Sequence, residues 1–238
     1  MEIKSLSLLK IIWLHKIKKI LGLPLDYKEY WDERYRAGFT SGAGSYGELA
    51  TFKADTINTF IEENSVRSVI EFGCGDGNQL KLMHYPEYLG MDIAPAAVEK
   101  CRKTFSGDDS KSFNLYSPES FSDNGSIHAD LVVCLDVLYH IIPENDYIKT
   151  LDDIFSRSEN FVILYTDIDM FKSRTYHEGA HVRHRDTLSY LKKYQNFTID
   201  KIIPNKYPDL TFAVFIILKR DRETSSHDRA VSSGIQQF

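Results

Sequence analysis

The stretch VIEFGCGDGNQL, residues 69–80, decides how the rest of the chain is interpreted. Apolar residues lead to an acid, Glu71, and three glycines then alternate with Cys74 and Asp76 within five residues. A strand followed by so many glycines predicts a turn that either bends too sharply for side chains or receives a ligand against its backbone. The glycines are Gly73, Gly75 and Gly77.

The composition is that of an ordinary globular protein. The 238 residues are 42% hydrophobic and 26% charged, enough to build one large domain. The net charge of -5 argues against a dedicated nucleic-acid-binding protein, so no nucleic-acid partner is expected. Cys74, Cys101 and Cys134 include no CxxC pair. The sequence therefore predicts neither a disulfide framework nor a zinc site, but reduced thiols in a cytoplasmic protein.

Both ends of the chain differ from its centre. Residues 1–25 predict an amphipathic helix that packs on the domain or a partner subunit, or lies on an anionic membrane surface. This segment is too short to span a bilayer and shows no secretory cleavage site. Residues 221–238 have little apolar content and predict a disordered tail. The apolar positions of the N-terminal helix are Leu6, Leu9, Trp13, Ile17 and Ile20.

Residues 26–220 alternate predicted strands and helices without a linker or a repeat. This alternation predicts an α/β fold with a doubly wound, mostly parallel, seven-stranded Rossmann-like sheet, an antiparallel last strand and an N-terminal helical extension. Helices are expected from about residue 78 and at 95–102, 148–156 and 187–194. Strands are expected at 66–72, 88–93, 112–116, 129–135, 160–165, 197–203 and 211–218.

The glycine turn lies where ligands bind in such sheets, beyond the carboxyl end of a strand. A triphosphate-binding loop requires Lys and then Ser or Thr, but this chain has Asn78 and Gln79. The GxGxG spacing also departs from the GxGxxG of dinucleotide sites. Glu71 would repel a pyrophosphate but suits a ligand with an ammonium group. Asp92, about 20 residues further on, matches the acid that holds ribose hydroxyls.

EFGCGDG together with GMDIAP, residues 71–77 and 90–95, resembles the class I S-adenosylmethionine-dependent methyltransferases. LDVLYHI, residues 135–141, resembles the segment after the family's fourth strand, which lines the reaction pocket. The resemblance implies S-adenosyl-L-methionine as cofactor and S-adenosyl-L-homocysteine as product. The turn would contact the amino-acid portion and Asp92 the ribose. The cofactor-binding residues expected here are Glu71, Gly73, Cys74, Gly75, Gly77, Asp92, Ile93 and Asp136.

The segment before the sheet contributes aromatic residues at helical spacing. We expect this helix to close over the cofactor through Tyr30 and Arg34, with Arg34 pairing with the cofactor carboxylate. YWDERY is equally compatible with an aromatic helix that only covers a sheet edge. The stretch FTSGAGSYG then supplies a second, hydroxyl-rich turn, in which Ser45 and Tyr46 are expected to bind the acceptor.

These N-terminal segments, together with the glycine turn, resemble a branch of small methyltransferases from bacterial surface-polysaccharide pathways, which make capsule and O-antigen. The narrower resemblance implies O-methylation of a sugar or of a group attached to one. The expected partner is a small-molecule acceptor, and an oligomer is possible.

A dense basic cluster follows the fifth predicted strand. Because arginine binds phosphate and carboxylate oxygens bidentately, the cluster predicts an acceptor with an anionic group, such as a phosphorylated or nucleotide-linked sugar. The alternative is a solvated helix start whose charges pair with Glu178 and Asp186. HxxxHxxH is conceivable as a metal site, but methyl transfer needs no metal and none is predicted. The cluster contains Arg174, His177, His181, Arg183, His184 and Arg185.

A sugar hydroxyl must lose its proton during methyl transfer, which calls for a general base. His140 is the first candidate and His181 or His184 the next, with Tyr139 and Asp136 orienting the base or the acceptor. An unperturbed histidine predicts an acid limb near pH 6.5. His140 can equally be a packed residue with a structural hydrogen bond.

Two other functions remain open at this point. The acceptor oxygen can be an already anionic phosphate or phosphoramidate oxygen in capsule modification, which needs no base. The chain can also be a catalytically inactive methyltransferase-fold partner protein. Nucleic-acid methylation is disfavoured because no NPPY-like motif follows the fourth strand.

Overall fold

The computed structural model describes residues 26–121, 127–168 and 181–221. The helices are α1 (Tyr27–Arg36), α2 (Gly47–Asn64), α3 (Pro95–Thr104), α4 (Glu144–Arg157) and α5 (Thr187–Leu191). The strands are β1 (Ser68–Phe72), β2 (Glu87–Asp92), β3 (Lys111–Leu115), β4 (Ala129–Leu135), β5 (Ser158–Thr166), β6 (Phe197–Ile203) and β7 (Val214–Arg220).

The seven strands form one sheet in the order β3-β2-β1-β4-β5-β7-β6. Neighbours from β3 to β5 pair in parallel, and β7 runs antiparallel to both β5 and β6. The predicted fold class is therefore confirmed. At the centre, β4 is buried along almost its whole length, as its valine- and leucine-rich sequence without alternation predicted.

The prediction of a helix from about residue 78 is wrong. The glycine turn is followed by a single 3₁₀ turn, Leu80–Leu82. Here Asn78 donates to the carbonyl of Ser45 (2.8 Å) and Gln79 to that of Ala50 (2.9 Å). These side chains fasten the segment to the chain before β1.

Several element ends differ by a few residues from those predicted. Helix α4 begins at Glu144, directly after Pro143, rather than at residue 148. Strand β7 begins at Val214 rather than at residue 211, because the Thr211 hydroxyl accepts a hydrogen bond from the Ala213 amide (3.1 Å) and forms a turn. The predicted N-terminal helix, 1–25, and residues 222–238 of the predicted tail lie outside the described residues. Among the described helices, none has the length and apolar character needed to cross a membrane.

Helix α1 lies near the carboxyl ends of β1 and β2. Asp26 caps its start by accepting from the amides of Lys28 and Glu29. From the same helix, Asp32 accepts from the Ala96 amide (2.9 Å) and so caps the first turn of α3. An aromatic face of α1 is buried against the domain, including Tyr30. The helix thereby becomes a cover for the ligand-binding edge of the sheet.

All three glycines of the turn after β1 have positive φ. Gly73 is the most constrained of them, with φ +91°, and a Cβ there would lie 2.2 Å from Cγ2 of Val137. The turn thus needs glycine both for backbone conformation and for close packing against the segment after β4.

We predict that Gly73→Ala destabilises the protein more than Gly47→Ala does. Gly47 also has positive φ (+58°), but a Cβ added there would meet nothing within 4 Å beyond its chain neighbours, so its replacement reports the backbone cost alone, about 1–2 kcal/mol. Gly73→Ala adds overpacking of about 1–3 kcal/mol. Urea unfolding measures both. Adding Val137→Ala should restore part of the loss, and equal losses at the two glycines would contradict this account.

Candidate active site

An inner cavity lies at the carboxyl ends of β1, β2 and β4. Its volume is about 820 Å³, including the open solvent at its mouth. Its walls include most of the residues predicted to bind cofactor. Gly77 lies behind the turn instead, where a Cβ would meet Phe105 and Cys101. The predicted residues that line the cavity are Glu71, Gly73, Cys74, Gly75, Asp92, Ile93 and Asp136.

Two buried carboxyl groups face this cavity. Glu71 accepts a hydrogen bond from the Tyr88 hydroxyl (2.6 Å), and burial raises its pKa to about 7 despite that bond. Asp92 accepts from the amides of Gly75 and Ala94 (both 2.9 Å), and burial raises its pKa to about 6. A ligand with a positive charge and hydroxyl donors would stabilise both carboxylates.

Two further polar groups of the inner cavity had not been identified from sequence. Oε1 of Gln79 is buried without a hydrogen-bond partner among the described residues, and it is therefore available to a ligand donor. Lys53 of α2 is 1% exposed and forms an ion pair with Asp136. Its signal in the sequence was its position on the apolar stripe of a helix, four residues from both Leu49 and Ile57.

The loop of residues 37–46, here called the covering loop, is fastened to the glycine turn by Asp76. The Ser41 hydroxyl donates to the Asp76 carboxylate and accepts from the Asp76 amide, both at 2.9 Å. The Tyr46 hydroxyl donates to the same carboxylate (2.7 Å). Tyr46 thus holds the loop in place and lines neither cavity, whereas Ser45 lines both. This placement favours a structural role for Tyr46 over the predicted acceptor contact.

An outer cavity adjoins the inner one beneath α1 and the covering loop. The structure places Tyr30 and Arg34 there rather than at the inner cavity, where both were expected to touch the cofactor. Two cavities with a common wall suit a reaction between two ligands held side by side. The residues that line both are Trp31, Ser41, Ser45, Asp136 and His140.

His140 lies in this common wall, on a 3₁₀ turn that follows β4. Its Nδ1 is 2.9 Å from the carbonyl oxygen of His181. Because a carbonyl only accepts, Nδ1 carries the proton and Nε2 keeps a lone pair. Desolvation among the surrounding rings lowers the pKa of His140 to about 4, and the charge of Arg34 acts in the same direction. The imidazole is therefore neutral at pH 7.

Asp136 has a left-handed backbone, with φ +59°, at the end of β4. Besides pairing with Lys53, it accepts a hydrogen bond from the Tyr139 hydroxyl (2.8 Å). A Cβ on Gly44 of the covering loop would come within 2.6 Å of its carboxylate. Strain held by so many contacts is typical of functional sites.

Of the predicted basic cluster, the described residues Arg183, His184 and Arg185 line neither cavity. Arg185 is buried, and its guanidinium donates to Glu144 (3.1 Å) and to the carbonyls of Ile141 (2.8 Å) and Ile142 (2.9 Å). Arg183 is exposed and bonds to the same Glu144 (3.1 Å). Both arginines therefore fasten the segment after β5 to the start of α4, which favours structural roles over the predicted acceptor contacts.

The histidines of the cluster separate. His181 lines the outer cavity, whereas His184 lines neither and pairs with the buried Asp167 (2.6 Å). Arg174 and His177 lie outside the described residues. Among the residues that the structure places, no group of three or more His, Cys, Asp or Glu side chains is arranged to hold a metal ion.

We predict that Arg185→Gln lowers the free energy of unfolding by about 3 kcal/mol, because it removes a buried cation that donates to Glu144 and to the carbonyls of Ile141 and Ile142. Arg183→Gln, at an exposed pair, should cost less than about 1 kcal/mol. Chemical denaturation of both variants tests this. Equal, small losses would show that Arg185 is not structural.

A family model described as a methyltransferase domain matches residues 47–200, which is more than half of the chain. No curated protein matches the chain significantly. Among solved structures, the N-methyltransferase NodS from Bradyrhizobium japonicum WM9, in complex with S-adenosyl-L-homocysteine, has a TM-score of 0.63 at 15% identity; the match covers 83% of this chain and 100% of NodS.

Magnesium protoporphyrin IX methyltransferase from Synechocystis PCC 6803, also with bound S-adenosyl-L-homocysteine, has a TM-score of 0.60 at 16% identity, covering 82% of this chain and 98% of the other. At these low identities the structural matches establish only the fold, whereas the family match establishes the kind of domain. The chain therefore belongs to the methyltransferase domain family and has the fold of the S-adenosylmethionine-dependent methyltransferases.

Proposed function

We propose that this S-adenosylmethionine-dependent methyltransferase O-methylates a hydroxyl of a small carbohydrate-type acceptor held in the outer cavity. The observation that carries the proposal is the position of His140, a neutral imidazole in the wall shared by the two cavities. The proposed assignment to a surface-polysaccharide pathway rests on the resemblance of the N-terminal segments and the glycine turn to the methyltransferases of those pathways.

The inner cavity suits the cofactor chemically. Glu71 offers a carboxylate for an ammonium group, Asp92 a carboxylate for hydroxyl donors, and Gln79 an unpartnered oxygen. When bound there, S-adenosylmethionine supplies a methyl group activated by its sulfonium. Lys53 balances the negative charge of Asp136 at the edge of the cavity.

On the acceptor side, the chain supplies proton removal and orientation. His140 keeps Nε2 as its basic nitrogen because Nδ1 donates to His181. Asp136 and Tyr139, bonded to each other, fix the neighbouring wall. Trp31 and the covering loop line the same cavity, so that a bound acceptor would displace water from the place where the hydroxyl is deprotonated.

Methylation of an already anionic phosphate or phosphoramidate oxygen is the second candidate. The observation that favours it is Arg34 in the outer cavity, which can bind an anion. Arg183 and Arg185, the residues first expected in this role, are held by Glu144. An anionic oxygen needs no base, so the two candidates differ in their dependence on His140.

We predict that the affinity for S-adenosylmethionine rises with pH through about 6 and about 7. Asp92 and Glu71 lose their protons there, and their carboxylates then attract the cation. Calorimetry in two buffers of different ionisation enthalpy should show proton release on binding. Glu71→Gln, whose amide oxygen still accepts from Tyr88, should remove the upper part of the rise.

The cofactor-free protein should show the opposite trend. Since the folded state holds these protons to a higher pH than the unfolded state, its stability falls as pH rises from about 4, where carboxyl groups of the unfolded chain ionise, to about 7, and is level above that. A wild-type protein that binds neither S-adenosylmethionine nor S-adenosyl-L-homocysteine would instead support the inactive partner protein. An affinity independent of pH would contradict the role given to the two acids.

For a hydroxyl acceptor, His140→Ala should lower kcat by about 10²–10⁴ with cofactor affinity retained. The wild-type kcat should be flat near neutral pH and fall only as the pH drops toward about 4, rather than near 6.5, because burial lowers the pKa of His140. Transfer of radiolabelled methyl to a panel of sugars and nucleotide sugars measures this.

His84→Ala serves as the control, since His84 is exposed and lines neither cavity. A near-normal kcat in His140→Ala would contradict the assignment of His140 as general base and favour an acceptor with an anionic oxygen.

A further inference from the structure

Aromatic rings form a continuous wall along the outer cavity. The Tyr30 ring stacks on His181 at a centroid distance of 4.7 Å, and His181 stacks on His140 at 5.5 Å. Trp31 meets His140 edge to face at 4.9 Å, and Tyr139 does so at 4.7 Å. Such a wall packs well against a flat ring or the apolar face of a sugar, which an all-polar site would not favour.

Arg34 supplies the positive charge of the outer cavity, because no other Lys or Arg among the described residues lines it. Its Nε donates to the Thr40 carbonyl (2.7 Å), and its guanidinium lies 5.6 Å from the centre of the Trp31 ring. No carboxylate among the described residues pairs with it. Other arginines nearby do have such partners: Arg36 pairs with Asp32 on the same helix.

The carboxylate of the outer cavity is already engaged. Asp136 forms an ion pair with Lys53 and accepts from Tyr139. The positive charge of Arg34 is therefore uncompensated beside a wall of rings. A guanidinium held at Nε keeps its two terminal nitrogens for a ligand, and their geometry matches carboxylate and phosphate oxygens.

We propose that Arg34 and the aromatic wall select an acceptor that combines a ring with a carboxylate or phosphate group, the ring packing on the wall and the anion binding to Arg34. The inference rests on the proposed function, because it takes the outer cavity as the acceptor site. It assigns Arg34 to the acceptor, whereas the sequence predicted that Arg34 pairs with the cofactor carboxylate.

An anion on Arg34 would also change His140. The charge of Arg34 contributes to the lowered pKa of His140. Neutralising that charge raises the basicity of the imidazole when the acceptor is present. An anionic group on the acceptor would thus strengthen the base that acts on its hydroxyl.

The test uses three matched probes and no cofactor: 4-nitrophenyl β-glucoside, 4-nitrophenyl β-glucuronide and 4-nitrophenyl β-glucoside 6-phosphate. Ligand-observed NMR titration of the wild-type protein should give at least about tenfold tighter binding for one or both charged probes than for the neutral glucoside. The glucuronide and phosphate arms separate a carboxylate from a phosphate acceptor. Wild-type protein that binds no charged probe more tightly than the glucoside overturns the proposal.

Variants on α1 identify the residue responsible. Arg34→Gln should abolish the preference for charge, Arg34→Lys should keep part of it, and Arg36→Gln, an exposed control on the same helix, should keep all of it. S-adenosyl-L-homocysteine affinity of Arg34→Gln should match wild type. If that affinity falls and the charge preference persists, Arg34 belongs to the cofactor; the inference is then overturned while the proposed function stands.

Discussion

The two cavities depend on the Asp76 carboxylate inside the glycine turn. Ser41 and Tyr46 donate to it, as does the amide of Asn78, and so the covering loop is joined to the turn after β1. Burial disfavours the charged form of Asp76, but these hydrogen bonds outweigh the effect of burial and lower the pKa of Asp76. The stabilisation is present at neutral pH and is lost as acid protonates the carboxylate. Without this contact, the covering loop would lose its fixed position above the sheet.

Charge is distributed unevenly over the space that this contact encloses. The inner cavity holds Glu71 and Asp92, buried acids whose pKa values are raised, and the outer cavity holds Arg34 beside aromatic rings. The Lys53–Asp136 ion pair lies between them and is largely buried. The inner cavity therefore favours a cationic ligand and the outer cavity an anionic one. This difference in charge directs each ligand to its own cavity without a conformational change.

The fold was predictable because β4 and the glycine turn are local signals: a valine- and leucine-rich strand without alternation and a glycine pattern that no helix tolerates. The helix expected after the turn failed because Asn78 and Gln79 bond to carbonyls of a segment about 30 residues earlier, which local patterns do not reveal. Arg185 was misjudged for the same reason, since its partners lie more than 40 residues away. Most of the residues predicted to bind cofactor line the inner cavity together, because one turn and one strand end carry most of them.

The central claim is that the inner cavity binds S-adenosylmethionine and the outer cavity receives the acceptor. A crystal structure of the protein with S-adenosyl-L-homocysteine tests it most directly. The account predicts ligand density in the inner cavity, with ribose hydroxyls on Asp92, the amino group near Glu71 and the outer cavity free beside Arg34. Density that fills the outer cavity, or places the ligand carboxylate on Arg34, would contradict it.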